Sequence, residues 1–190
     1  MTRVLLPIAD GSEEIEAVTI VDVLRRAGAE VTLASVMPQS RITASRGVVI
    51  EADCLLDECA NTSWDLIVLP GGMPGAEHLQ TSKLLGKMLA EQRDAGRWLG
   101  AICAAPAVVL GRHGLIKGYR ATCHAGFRDE LHAQVSEVSA DRVVVDRNLI
   151  TSQAPGTAME FALQLVACLF GEKVAERVAV PMACASSAPG

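Results

Sequence analysis

The sequence predicts an α/β protein whose mostly parallel sheet is covered by helices on both faces. Short apolar runs such as residues 4–8 and 66–69 lack the alternation of a half-exposed strand, so both of their faces must be buried. These runs alternate along the chain with longer helical segments that end at glycine. Half of the 190 residues are hydrophobic but only 3% are aromatic, and 16 are glycine, which suits helices lying close to a sheet.

Residues 4–8 form the first strand. Asp10-Gly11-Ser12-Glu13 is a turn and helix start, with Asp10 and Glu13 at capping-box spacing. The helix continues through Ile15, Val18, Val21, Val23 and Leu24 to Gly28, a natural stop. Residues 31–34 form the next strand, and residues 48–50, after the turn Ser45-Arg46-Gly47, belong to a small hairpin. Residues 66–69 form a buried strand that ends at Pro70-Gly71-Gly72, and a helix over 82–95 stops at Gly96. A strand over 97–102 then runs into Cys103. Beyond Gly114 the pattern is looser: a short strand at 121–123, a helical turn at 127–132, and strands 142–146 and 149–152 joined at Arg147-Asn148. An amphipathic helix over 157–170 and a short helix near 173–178 follow. A single domain over residues 1–182 is expected, with 183–190 as a flexible tail.

The formal net charge of −5, without a basic block or clustered aromatics, does not point to a nucleic-acid-binding surface. No run of about 18 apolar residues suggests a membrane span, and the start of the chain is too short an apolar run for an export signal. The cysteines at 54, 59, 103, 123, 168 and 184 include no C-x-x-C pair, so zinc-ribbon and thioredoxin readings fail. All six are read as thiols of a cytoplasmic protein.

The most informative stretch is Ala101-Ile102-Cys103-Ala104-Ala105-Pro106. An apolar strand meets a cysteine, small residues leave room above the sulfur, and Pro106 fits the first turn of a helix. This is the pattern of a nucleophile elbow with sulfur in place of oxygen. The competing reading is that Cys103 is an inert core residue, as buried cysteines commonly are. Strand ends in such sheets gather reactive groups, and residues 13–16, 70–72 and Cys103 all follow strand ends. A helix dipole supplies only about 0.3–1 kcal/mol, less than the roughly 3 kcal/mol needed to ionise a thiol below pH 6. Glu16, one turn into the first helix, is therefore expected to be buried, protonated and hydrogen-bonded to a Cys103 thiolate. Glu13 and Glu14 read as ordinary first-turn acids. The amides of Gly71, Gly72 and Ala104 are candidate oxyanion donors, and His124 is a candidate base or proton shuttle.

Four motifs in order extend this reading. Asp10-Gly11-Ser12-Glu13-Glu14-Ile15-Glu16, Leu69-Pro70-Gly71-Gly72, Ala101-Ile102-Cys103-Ala104-Ala105-Pro106 and Thr151-Ser152-Gln153-Ala154-Pro155-Gly156-Thr157 resemble the ThiJ/PfpI superfamily over residues 3–181. They look most like the branch that contains the human Parkinson-disease protein deglycase and bacterial YajL. The resemblance implies a flavodoxin-like three-layer sandwich and a homodimer. It also implies Cys103 as nucleophile, Glu16 as its protonated partner, Gly72 and Ala104 as oxyanion donors, and His124 nearby. Arg46 resembles a residue that reaches the site across the dimer interface. The implied activity is that of a glutathione-independent glyoxalase III or deglycase, acting on methylglyoxal, glyoxal and their early adducts on proteins and nucleotides. Oxidative-stress sensing and chaperone activity are also associated with the family. No metal or organic cofactor is implied. Ala104 stands where the protease branch has histidine, and no His-x-Glu pair of the amidotransferase kind follows Cys103. Gln153 stands where many relatives have arginine, which puts an anion site there in doubt. Two function classes remain: an enzyme of small dicarbonyls, and a redox-sensing chaperone whose Cys103 is oxidised to a sulfinate.

Overall fold

The structure is a computed structural model that describes residues 1–184. Its centre is a seven-stranded sheet. Chain order gives β1 (Arg3–Ile8), β2 (Glu30–Ser35), β3 (Arg41–Thr43), β4 (Val49–Glu51), β5 (Cys54–Leu55) and β6 (Leu66–Leu69). There follow β7 (Trp98–Ile102), β8 (Arg120–Ala121), β9 (Glu137–Val138), β10 (Val143–Asp146) and β11 (Leu149–Ser152). Across the main sheet the order is β10-β11-β7-β6-β1-β2-β5, and only the β10–β11 pair is antiparallel. The five central strands thus follow the flavodoxin-like order, with the switch point between β1 and β6. The pairs β3–β4 and β8–β9 form separate two-stranded ribbons.

Alternate residues of the strands feed two cores. Val4, Leu6, Ile8, Leu66, Val68 and Ile102 pack with α1 (Glu14–Arg26) and with the two C-terminal helices over Ala158–Phe170 and Glu172–Ala179. Leu5, Ile67, Leu69, Leu99 and Ala101 face the other side, where α2 (Gly75–Thr81) and α3 (Lys83–Asp94) lie. The remaining helices are α4 (Arg128–His132), α5 (Ala158–Phe170) and α6 (Glu172–Ala179). Continuous apolar strands were the right signal, because each strand residue has a core on its own side of the sheet.

Some local readings change. The first helix is capped by Glu13, whose carboxylate accepts from the Glu16 N–H at 2.8 Å. Asp10, expected as part of the cap, instead accepts from the Thr43 N–H at 2.8 Å and fixes the β3–β4 hairpin. α2 was not foreseen, because its seven residues are too few for periodicity to show. The segment after the elbow, Pro106–Gly111, is wound as a π-helix with Pro106 at its start. Of the expected tail, Ala183 and Cys184 hydrogen-bond back to Val180 and Ala179, and residues 185–190 lie outside the described residues.

Candidate active site

Cys103 has φ = 64°, in the left-handed region, between the end of β7 and the π-helix. That conformation costs an L-residue roughly 1–2 kcal/mol. Two long-range hydrogen bonds hold it: the Cys103 N–H donates to the Ser152 carbonyl at 3.1 Å, and the Cys103 carbonyl accepts from the His124 N–H at 2.8 Å. The elbow is therefore set by β11 and by the loop after β8.

The loop after β6 is clamped against the start of α1. The Glu13 N–H donates to the Gly71 carbonyl at 3.0 Å, and the Gly71 N–H donates to Glu16 Oε2 at 2.7 Å. A Cβ on Gly71 would lie 2.5 Å from Cys103 Cβ, 3.0 Å from Glu16 Oε2 and 3.1 Å from the Ala104 nitrogen. Gly71 is thus the point at which cysteine, carboxylate and elbow amide meet. Gly72, at φ = 86°, is pressed onto the backbone of residues 11–13, so it too admits no side chain. The Gly71→Ala variant is expected to fold yet to lose about 10²-fold in Cys103 alkylation, because the added methyl crowds the sulfur and drives it from the Glu16 carboxyl. Iodoacetamide kinetics beside a far-ultraviolet spectrum check this.

Glu16 is fully buried, and its Oε1 has no hydrogen-bond partner. Burial pushes its carboxyl up to about 7, aided by the nearby Glu13 and opposed by the Gly71 N–H and the Cys103 thiol. The expectation of a buried acid that holds its proton near neutrality thus agrees with the geometry. The expectation of a depressed Cys103 pKa does not. Cys103 is only 9% exposed, and burial together with the negative charge of an ionised Glu16 pushes the thiol up to about 12. The amides of Gly72 and Ala104 act in the opposite sense by pointing at the sulfur. Two adjacent negative charges are therefore excluded at neutral pH, and the pair carries at most one, on sulfur only when Glu16 holds the proton.

The Glu16 shift has a consequence for folding. Its ordinary value is 4.5 and its folded value about 7, so stability is complete below pH 4.5 and declines as pH rises through 7. The loss amounts to on the order of 3 kcal/mol. Glu16→Gln is expected to remove this component from the pH dependence of urea unfolding. A wild-type slope that persists in the variant would contradict it.

The remaining expected residues lie as follows. His124 is exposed, its Nδ1 accepts from the Gly126 N–H at 3.1 Å, and its ring meets Phe127 edge-on. That engagement leaves Nε2 free, while the backbone of His124, rather than its ring, makes the contact with Cys103. Arg46 is exposed on the hairpin turn and makes no contact with Cys103 in the single chain. Glu14, read as a plain first-turn acid, accepts from the Arg46 N–H at 2.8 Å and from the Ser45 hydroxyl at 2.7 Å, and so sets where Arg46 is presented. Gln153 donates to the carbonyls of Ala140 and Asp141 at 2.8 and 2.9 Å, so its amide is spent on structure. Sequence reasoning missed the Ser152 carbonyl and the Glu14 anchor. Neither has a residue-type signal, since one is backbone and the other an acid where acids are common.

An elbow cysteine facing a buried carboxyl at the switch point of a flavodoxin-like sheet places the chain among α/β proteins built around one such sulfur. It belongs to the DJ-1/PfpI family, whose profile matches residues 2–168. The chain is 45% identical over 180 residues to Protein DJ-1 homolog B of Arabidopsis thaliana, covering 95% of this chain and 41% of that one. It thus spans less than half the length of that relative. It is 36% identical over 179 residues to a Caenorhabditis elegans protein named glutathione-independent glyoxalase DJR-1.2, covering 94% of each. The structure of oxidized Toxoplasma gondii DJ-1 superposes with a TM-score of 0.95 at 43% identity, over 98% of this chain and 100% of that one. The DJ-1 branch is the one to which the four motifs pointed.

Proposed function

We propose that the protein converts small 1,2-dicarbonyls such as methylglyoxal and glyoxal to hydroxy acids without glutathione, as a glyoxalase III. By the same chemistry it removes their early adducts from proteins and nucleotides. What supports this is the meeting of Cys103, the buried Glu16 carboxyl and the Gly72 and Ala104 amides at one point. A relative carries the name of a glutathione-independent glyoxalase.

With its proton on Glu16, the Cys103 sulfur adds to the aldehyde carbon, and the carbonyl oxygen takes the charge. The amides that faced the sulfur are the donors next to that oxygen. Glu16 gives up its proton to it, forming a hemithioacetal. The resulting carboxylate removes the former aldehyde hydrogen and returns it to the neighbouring carbon, while the hydroxyl proton passes to that carbon's oxygen, which leaves a thioester of lactate. Water cleaves the thioester, with the free Nε2 of His124 as proton relay, releasing lactate and regenerating the thiol. The sum is methylglyoxal plus water giving lactate, and no metal or cofactor enters. Lactate should accumulate from methylglyoxal in thiol-free buffer; consumption without lactate, or none, overturns the assignment.

The dimer implied by the family likeness has a surface to use. Ile15 and Val18 on α1 are 56% and 54% exposed, and Val48 and Val49 on the hairpin are 49% each. A homodimer through this face would carry Arg46 towards the partner site. No described helix is long and apolar enough to cross a membrane, and the protein is proposed to act in the cytoplasm.

A second reading, a redox sensor with chaperone activity under oxidative stress, draws on the unpartnered Glu16 Oε1. A protonated carboxyl there would donate to a sulfinate at Cys103. Two added oxygens confined to Cys103 after mild peroxide would support it; oxidation spread over all six thiols would dismiss it.

A further inference from the structure

Two cysteines outside this site touch each other. Cys54 begins β5, the edge strand of the sheet, and Cys59 ends the 3-10 turn Leu56–Cys59 that follows it. Their sulfurs are 3.5 Å apart, the one pair of thiols in hydrogen-bond contact among the described residues. Both are free. The contact sits in a fixed setting. Cys59 is 3% exposed in the core that also holds Leu56 and Trp64, and Cys54 is half-buried against the same core. The Leu55 N–H donates to the Glu58 carboxylate at 2.9 Å across the turn. Asp53, just before, accepts from the Leu33 N–H at 2.9 Å and from Arg25 at 3.0 Å.

We propose that Cys54 and Cys59 form a reversible dithiol–disulfide site, oxidised by hydroperoxides and reduced again by small thiols. The exposure of the two sulfurs assigns their parts. Cys54, the more accessible, attacks one peroxide oxygen; the O–O bond breaks, leaving a sulfenic acid, and the released alkoxide or hydroxide takes up the thiol proton. The Cys59 sulfur then displaces the hydroxyl from Cys54, and its own proton leaves with that hydroxyl as water. Two thiols and one hydroperoxide become one disulfide, one water, and one alcohol or a second water; the sulfurs lose the two electrons that the O–O bond gains. Burial and the Cys54 contact hold the Cys59 thiol up at about 12, in keeping with a thiol that stays protonated until it resolves the sulfenic acid.

The sulfurs must close to about 2.05 Å. β5 is paired to the sheet through only two registered residues, Cys54 with Ala34 and Leu55 with Ser35, so the edge has slack to give. A resolving thiol already in contact reacts as an intramolecular partner and captures a sulfenic acid before a second peroxide does.

The chain is suited to a direct test. No Lys or Arg lies between Arg46 and Lys83, and residues 47–83 contain no other cysteine, so both thiols fall on one tryptic peptide. After mild hydrogen peroxide and alkylation in denaturant, that peptide should be unalkylated and about 2 Da lighter than its reduced form. Dithiothreitol should restore two alkylation sites, and Cys103→Ser should behave alike. At peptide 47–83 the disulfide should exceed sulfinate by at least about tenfold. In Cys59→Ala the 2 Da loss (about two hydrogens) should vanish and Cys54 should carry sulfinate instead. Both thiols remaining alkylatable at a dose that fully oxidises Cys103, or a disulfide joining two chains on a non-reducing gel, would overturn the proposal.

Discussion

Replacing Cys103 by serine is expected to lower lactate formation from methylglyoxal by at least about three orders of magnitude. The substitution leaves the elbow intact, since the backbone hydrogen bonds to Ser152 and His124 do not involve the side chain. What changes is the atom that must carry charge. A hydroxyl ionises far less readily than a thiol, and here burial already opposes ionisation of the sulfur, to about 12 when Glu16 is charged. The Gly72 and Ala104 amides offset part of this for sulfur but fall well short for oxygen. Cys168→Ser, in α5 on the far side of the sheet from the elbow helix, serves as the control and should keep full turnover. A serine variant with wild-type turnover would remove the covalent route altogether.

The second large effect concerns Glu16. Glu16→Gln is expected to cost about 10²–10³-fold in turnover, because the mechanism asks one group to give a proton to the oxygen and then to take one from carbon. The amide retains an oxygen that can accept from the Gly71 N–H, so the loop geometry should survive. Glu16→Leu removes that acceptor as well and leaves a buried N–H unpaired, costing about 1–3 kcal/mol in addition. The two variants therefore separate chemistry from architecture. The pH profile of iodoacetamide alkylation gives the sharper readout. In the wild type the first proton leaves the pair near pH 7, where Glu16 titrates, and alkylation should climb through that region. In Glu16→Gln no group titrates there, and the step should disappear. A profile identical in both proteins would show that the carboxyl and the sulfur are uncoupled.

Most of the fold was legible in the chain because burial on both faces writes itself into consecutive apolar residues. Val4, Leu5 and Leu6 announce a central strand without reference to any neighbour. Glycines at 28 and 96 mark helix ends for a local reason, a positive φ at each. The two-residue strands β5 and β9 were not legible, and β8, expected over 121–123, lies at Arg120–Ala121, since such short strands exist only by virtue of what they lie beside. Glu13 as the cap, in place of Asp10, shows the same limit. Both residues suit a cap, and the choice follows from the hairpin claiming Asp10.

The candidate site divides in the same way. Cys103, Glu16, Gly71, Gly72 and Ala104 were identifiable as residues because each follows a strand of a parallel sheet, and such ends lie on one edge. Their protonation was not. The sequence led to a thiol with a lowered pKa; the fold surrounds it with apolar chain and a carboxylate, and raises it. Residue order alone fixes which groups can meet, since connectivity and hydrophobic pattern decide the strand ends. How charge is shared among them depends on distances, burial and backbone dipoles, which are properties of the packed molecule.

The chain supplies the acid, Glu16, from the first helix and the sulfur, Cys103, from the end of β7, 87 positions later. Only tertiary packing brought both against Gly71, where a side chain would meet each of them, and the cost of holding two negative charges there exists only once that packing has excluded water.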